Sequence, residues 1–463
     1  MATPPLYVIA LAAGKGTRMK AGKVKVLLEA AGRPLLGHVL ESARALRPKE
    51  IVAVIPKDPP AELSALLDQY KAAAAVQDPP RGTADAVKVA LSKISAKTGN
   101  AMILIGDAPL MDPATLRKLM NRHKQAKALV SVLSFVPPDP GAYGRIIRDP
   151  FGAPERITEH KDLGKNERER HRECNTGFWV VDLPWLRKQI TKINNKNASG
   201  EFYLTDLFEV AAKEGRARAV VADDPECCIG VNTQAELAIA AALLRERKME
   251  TLLAKGVTII DPYHTYIDVT AEVGAGSVIE PGVLLQGATK IAPDCRIGAG
   301  AVIRGSLIGK GASILPYSVI EESSVGPLAQ IGPMAHLRPG SKVGKGAKVG
   351  NYVELKKAEL GDGAKANHLS YLGDAKIGAG ANIGAGTITC NYDGTNKHVT
   401  EIGAEAFIGS DTQLVAPVKV GKGAYVGSGT TVTKNVPAGA LAVSRAPQKN
   451  IPGWAARNKK KKK

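Results

Sequence analysis

From residue 256 onward, aliphatic residues return every six positions. The series runs Val273, Ile279, Leu285, Ile291, Ile297, Ile303 and, after one-residue slips, Ile308, Ile314, Ile320 and Val325, Ile331, Leu337, Val343, Val349, Leu355. It passes Leu360 and Ile377 and resumes at Ile402, Ile408, Leu414, Val420, Val426 and Val432. A period of six is neither that of an α-helix nor that of a simple strand; it is the hexapeptide repeat of a parallel β-helix. Each hexad makes one short side of a triangular prism, with its aliphatic residue inward and a small residue, as in "IGAG" or "VGKG", turning the corner. Stacked coils bury a continuous aliphatic column, which suits a chain with 48 glycines and only 4% aromatic residues. The stretch "TCNYDGTNKHVTE", residues 389–401, breaks the series, and an insertion in a regular solenoid is expected on its binding face.

Up to about residue 230 the pattern is different. "YVIALAAG", "EIVAVIP" and "AMILIGDAPL" read as buried strands, and "RPLLGHVLESARALR" and "TADAVKVALSKI" as helices. Such alternation predicts a mostly parallel sheet with helices on both faces, and ligands beyond the carboxyl ends of its strands. Gly14 to Arg18 and Asp107 lie at such ends. "TQAELAIAAALLRERKMETLLAK" is rich in helix formers and reads as a connecting helix. The expected organisation is therefore a domain over 1–232, a linker helix over 233–255, a β-helix over 256–437 and a tail over 438–463.

The formal charge is +19, of which Lys459 to Lys463 supply five, leaving +14. That surplus favours anionic partners, and with no helix-turn-helix, zinc-finger or aromatic-on-basic RNA signature the expectation is nucleotides and sugar phosphates rather than nucleic acid. Cys174, Cys227, Cys228, Cys295 and Cys390 are odd in number and irregular in spacing, so neither a disulfide framework nor a CxxC metal site is read, and a reduced, cytoplasmic protein is expected. The early apolar run "LYVIALAAG" lacks a preceding basic region and reads as a strand, not a signal peptide. No run approaches the roughly 20 apolar residues of a membrane span.

The loop "LAAGKGTRMKAGKVKVLL" fails the P-loop pattern for want of GK followed by Ser or Thr, and fails GxGxxG for want of the third Gly. What remains is a cradle in which Gly14 and Gly16 allow close backbone approach while Lys15, Arg18 and Lys25 neutralise a polyphosphate. Taken singly, Asp107 and Asn232 are equally good helix caps, and Lys25 an ordinary solvated lysine. Their order relative to the glycine loop favours a site.

"LAAGKGTRM…KVL", "QDPPRGTADAV", "GDAPL", "YGRII", "EHKD", "NTGF" and "GVNT" occur in that order, and this series resembles the sugar-nucleotide pyrophosphorylase superfamily. With a β-helix attached that carries "NHLSYLGD" and "CNYDG", nearly the whole chain is similar to the bifunctional enzymes that acetylate glucosamine 1-phosphate and then uridylylate the product. The resemblance implies an α/β fold: a Rossmann-like nucleotidyltransferase domain followed by a left-handed parallel β-helix of hexapeptide repeats. It also implies a homotrimer and no membrane or nucleic-acid partner.

Carried over by position, Leu11, Ala12, Ala13 and Gly14 would meet the UTP nucleotide, Gln77, Gly82 and Thr83 would read uracil, and Lys25 would contact phosphate. Asp107, beside Gly106, would hold Mg²⁺ with Asn232, while Gly144, Glu159 and Asn175 would cradle the sugar. An acid at the end of a buried strand with an oxygen donor nearby suits an ion that keeps waters and bridges substrate phosphates. Two departures stand out: Val24 where the family usually has Pro, and Ile105 where it often has Tyr.

Acetylating an amine needs a base, anchors for the acceptor's phosphate and donors for the thioester oxyanion. His368 is the candidate base, since imidazole titrates near neutrality. The resemblance implies Arg338, Lys356 and Tyr371 around the phosphate, Glu354 and Asn382 near the sugar, and Asn391 with Tyr392 completing the acceptor site and polarising the thioester. Ala385, Ser410, Ser428 and Arg445 match positions along the acetyl-CoA groove, with Ser428 standing where the family often has Ala, and Trp454 is expected to close over it. A zinc carbonic anhydrase would need three convergent histidines, and His336, His368 and His398 are spaced too widely for that. A nucleotidyltransferase with a merely structural β-helix is opposed by His368, Arg338, Lys356 and Asn391, and a non-enzymatic assembly subunit by Gly14, Lys25 and Asp107.

Overall fold

The computed structural model describes residues 4–14 and 16–460, which fall into two units, Met1–Leu244 and Arg245–Lys463. Seven strands form the main path of the nine-stranded sheet in the first: β1 (Leu6–Leu11), β2 (Glu50–Pro56), β3 (Ala73–Gln77), β4 (Asn100–Ile105), β5 (Val130–Phe135), β6 (Cys174–Asp182) and β7 (Ala217–Val221). They lie in the order β7-β5-β6-β4-β1-β2-β3, and only β6 runs antiparallel to its neighbours. Side chains alternate across β1: Val8 and Ala10 join a core with Leu36, Leu40 and Leu63, while Tyr7 and Ile9 join another with Val87, Trp179 and Phe208. Helices cover both faces, which is why the strand is apolar at every position.

The register of this sheet sets up the site. Leu11 pairs with Ile105, and the Gly106 N–H donates to the Leu11 carbonyl at 2.9 Å. The segments that follow β1 and β4 thus leave the sheet side by side. Asp107 is not a helix cap. Asp112 caps the helix Pro113–Gln125 by accepting from the Ala114 and Thr115 amides. At the helix Gln234–Ala254, Glu236 accepts from the Asn232 and Thr233 amides while Thr233 Oγ1 accepts from the Glu236 amide, a capping box that leaves the Asn232 side chain free.

The second unit is a left-handed parallel β-helix of three sheets with 11, 10 and 9 strands. Strand pairs repeat coil by coil, as Val278 with Arg296 and Arg296 with Ser313. Ile279, Leu285, Ile297, Ile303, Ile331, Leu337, Leu355 and Ile408 of the hexad series are completely buried in one continuous core. The stack ends with Leu441–Ala442 paired to Tyr425–Val426, so the coils run past the expected boundary at 437. In that strand the inward position is held by Ala442, too small to register as a hexad.

Coil spacing dictates the small residues. Adjacent strands lie about 4.8 Å apart, and a Cβ added to Gly361 would lie 2.6 Å from the Ala379 nitrogen of the next coil. Gly361→Ala is therefore expected to destabilise the β-helix by about 1–3 kcal/mol, the usual cost of overpacking. A lowered denaturant midpoint is the expected readout, and an unchanged one would contradict the packing account.

Candidate active sites

In the first unit the groups expected to face phosphate converge. Lys25, on the short helix Lys25–Leu27, is 8% exposed, and its Nζ donates both to the Asp107 carboxylate and, at 2.8 Å, to Asn232 Oδ1. Arg18 donates to the same Asn232 oxygen from 2.9 Å. Leu11, Ala12, Gly14, Gly16, Arg18, Lys25, Asp107 and Asn232 line a recess of about 320 Å³. Lys15 lies outside the described residues. Val24 holds φ at −58°, within the range a proline ring imposes, so the chain reaches Lys25 in the direction that a proline would set.

A cavity of about 560 Å³ opens beside this recess and shares Leu11, Gly14, Asp107 and Asn232 with it. Ala13, Gln77, Gly82 and Thr83 line one part of it, and Gly144, Glu159 and Asn175 another. Gln77 is buried, its amide nitrogen donating to the Gly82 carbonyl at 3.1 Å and to Asp85 at 2.9 Å. Gly82 has φ of +118°, and a Cβ there would lie 2.6 Å from the Phe202 carbonyl oxygen; glycine is required for this approach. Thr83 Oγ1 accepts from the Leu204 amide. Ile105 fills the floor under Gly177, where an added Cβ would sit 2.9 Å from Ile105 Cγ2.

On the far side of the cavity the Asn175 amide donates to the Gly144 carbonyl at 2.9 Å, and Thr205 donates to Glu159 at 3.1 Å. Burial pushes the Glu159 carboxyl above its ordinary range, with the Thr205 hydrogen bond opposing. A larger cavity, about 620 Å³, lies elsewhere in this unit, between Val24, Leu27 and the helix Ala61–Tyr70, and contains none of the expected site residues.

In the β-helix one corner collects five residues from consecutive coils: Asn351, His368, Ala385, Ser410 and Ser428. The backbone fixes their stacking, with Leu369 N–H donating to Asn351, Asp411 N–H to Ala385 and Gly429 N–H to Ser410. Arg445 ends the column beside Gly427, where an added Cβ would lie 2.8 Å from its Nη2. Around the corner, Arg338 pairs with Glu354 at 2.9 Å, Glu354 registers with Tyr371 and Lys356 with Gly373. Asn391 is buried, its amide donating to Asp374, and the Asp374 N–H donates to the Lys356 carbonyl. Asn382 registers with Lys365 at the other end of the His368 strand, apart from this group. Tyr392 and Trp454 are exposed.

The insertion folds as a hairpin with Tyr392 bridged to Lys397. Backbone N–H groups of Asn396 and Thr395, with His398, hold the Asp393 carboxyl below its ordinary range. The four histidines of the β-helix go to separate partners: His264 to Asp261, His336 to Glu321, His368 to Asn351 and His398 to Asp393. Among the described residues no group of three or more His, Cys, Asp or Glu is placed to hold a metal ion, no disulfide joins the cysteines, and no helix is long and apolar enough to cross a membrane.

Several contributors were not expected from sequence. Tyr143 lines the cavity, accepts from the Gly230 N–H at 3.2 Å and packs edge-on against Phe135. Thr205, Asp374 and Asn351 each hold an expected residue. Asn351 carried a usable signal: it stands one coil before His368.

Comparison with known proteins accounts for both units. Residues 8–166 match the model of the MobA-like NTP transferase domain, and residues 270–305 and 400–434 that of the bacterial transferase hexapeptide (six repeats). A relative from Sorangium cellulosum named bifunctional protein GlmU is 46% identical over 98% of this chain and 97% of its own. Proteins of the same name from an Anaeromyxobacter species and from Trichlorobacter lovleyi are 48% and 44% identical, covering 98% and 96% of this chain and 93% and 96% of their own. With identity of this order over nearly the whole length, the chain belongs to the bifunctional GlmU family.

Proposed function

We propose that the chain makes UDP-N-acetylglucosamine in two steps, acetylating glucosamine 1-phosphate with acetyl-CoA in the β-helix and then uridylylating the product with UTP in the first unit. The observation that carries this reading is the presence in one chain of both constellations: Lys25, Asp107 and Asn232 lining one recess, and His368 in a column of small residues. The bifunctional name of the relatives supports it.

In the first reaction His368 takes a proton from the ammonium group, the freed amine attacks the thioester carbonyl, the C–N bond forms, and the C–S bond breaks to release the CoA thiol. Arg338, Lys356 and Tyr371 hold the phosphate, Glu354 faces the sugar, Asn382, which stands apart from this group within one copy, reaches the sugar from a neighbouring copy, and Asn391 and Tyr392 polarise the thioester oxygen. Ala385, Ser410 and Ser428 give the acetyl-CoA arm a narrow path along the corner, with Arg445 at its end, and Trp454 closes over it. No cysteine is needed.

In the second reaction an oxygen of the sugar 1-phosphate attacks the α-phosphorus of UTP in line, and pyrophosphate leaves. Leu11 to Gly14 receive the nucleotide and Lys25 the phosphates. With its amide hydrogens already committed, Gln77 offers its Oε1 to the N3–H of uracil, a proton that cytosine lacks. Gly144, Glu159 and Asn175 take the acetylated sugar. Mg²⁺ fits the pair Asp107 and Asn232, because the Lys25 ammonium already bridges their oxygens, so a cation belongs between them; when bound, it would neutralise charge developing on the phosphates.

A homotrimer is part of this reading. Tyr317, Met334, Tyr352 and Leu369 stand exposed in consecutive coils next to the His368 column, an apolar stripe that a neighbouring copy would cover. A cytoplasmic location, where UTP and acetyl-CoA are supplied, goes with it.

The two activities should separate by mutation. His368→Ala is expected to abolish CoA thiol release that depends on glucosamine 1-phosphate while leaving pyrophosphate release from UTP and N-acetylglucosamine 1-phosphate intact. Asp107→Asn should do the reverse, cutting the uridylyl rate on the order of 100-fold or more. Loss of both activities in either folded variant would count against two independent sites.

Glu159 gives a pH signature. Its carboxyl is raised by burial, so the stability it contributes is full below the ordinary Glu pKa and is lost as pH rises through the raised value. Glu159→Gln is expected to gain thermal stability over the wild type progressively as pH rises from 4 to 8, scanned in steps of about one unit, while KM for the acetylated sugar phosphate rises about tenfold, the worth of one charge-assisted hydrogen bond. A parallel pH dependence in both proteins would refute the assignment.

A further inference from the structure

We propose that Asn351 is a positioning residue for acetyl transfer: it holds the His368 imidazole as the Nδ1–H tautomer, so that the Nε2 lone pair is the one that takes the proton of the amino sugar. This rests on the reading of His368 as the base. The two residues occupy the same corner position of adjacent coils and pair in register. His368 Nδ1 lies 2.9 Å from Asn351 Oδ1. A side-chain carbonyl oxygen can only accept, so the nitrogen facing it must carry the proton, and the other nitrogen is left basic. Among the described residues Nε2 has no hydrogen-bond partner.

The amide suits the chemistry better than a carboxylate would. A base that must collect a proton from an ammonium group near neutrality has to be unprotonated itself, and a carboxylate at hydrogen-bond distance raises a histidine pKa. Charged groups stand on the elements around His368. Lys365 lies on its own strand and Lys348 on that of the preceding coil, and around the corner stand Arg338, already paired with Glu354, and the Tyr371 phenol. No carboxylate among the described residues hydrogen-bonds to the imidazole. Asn351 thus fixes the ring without charging it.

The test uses the full-length protein, Asn351→Ala and Asn351→Asp, with His368→Ala alongside. Asn351→Ala is expected to lower kcat for acetyl transfer about tenfold, the worth of one hydrogen bond, with KM for glucosamine 1-phosphate and acetyl-CoA near the wild-type values. Asn351→Asp restores the orientation and adds a charge, so its rate should recover at high pH while the acid limb of its pH profile moves up by about one unit or more. Uridylyl transfer and thermal unfolding of the same preparations report folding, and should Asn351→Ala not fold, Asn351→Asp carries the decision through the position of its acid limb. Wild-type kcat in Asn351→Ala, or an acid limb unmoved in Asn351→Asp, overturns the proposal. Full activity in His368→Ala would instead remove the base, and the positioning role with it.

Discussion

Backbone pairing between successive coils is the constraint from which the second unit follows. Each coil can lie a strand's width from the next only where the chain turns on residues without bulk, and the close approach at Gly361 recurs at Gly344, Gly378, Gly403 and Gly421. The same spacing turns positions far apart in sequence into neighbours. Asn351, His368, Ala385, Ser410 and Ser428 form one edge because hydrogen bonds between coils leave them nowhere else to go. A site of this kind needs no dedicated loop, and the single inserted hairpin adds only what a regular coil cannot offer: Asn391, tied to Asp374, and Tyr392.

The first unit solves a different problem, the concentration of positive charge at a recess. A buried lysine without a counter-charge is costly, and Lys25 meets Asp107 and Asn232 instead. That triad joins three segments distant in sequence: the turn after β1, the end of β4 and the start of the helix Gln234–Ala254. Its assembly depends on who caps the helices. Asp112 and the Thr233 and Glu236 pair satisfy the helix ends, which leaves the Asp107 and Asn232 side chains to pair with Lys25.

Much of this was legible in the chain. The period of six exposed the β-helix because each side of the prism has one inward position, and its end was misjudged because Ala442 carries too little hydrophobic signal. The sheet was readable from apolar strands alternating with helices. Asp107 and Asn232 were ambiguous alone, since caps and ligands draw on the same residue types; the Pro at the first turn after Asp112 is the local signal that settles the cap. Tyr143 was invisible, because its bond to Gly230 joins residues that only the fold brings together. Lys15, expected in the phosphate cradle, lies outside the described residues.

The His368 edge also has a consequence for how such a groove can change. Its length is counted in coils, each adding one small residue and one strand spacing between the imidazole and Arg445. A conventional cleft can be widened gradually by trimming side chains. Here the distance from the proposed reacting centre to the far end of the proposed cofactor path behaves like a ratchet: a whole coil lengthens it by one notch with register intact, whereas the one-residue slips before Ile308, Val325 and Leu360 are taken up between sides of the prism and leave the following aliphatics inward. Divergence in cofactor reach is therefore quantised, and finer adjustment falls to the hairpin and the tail.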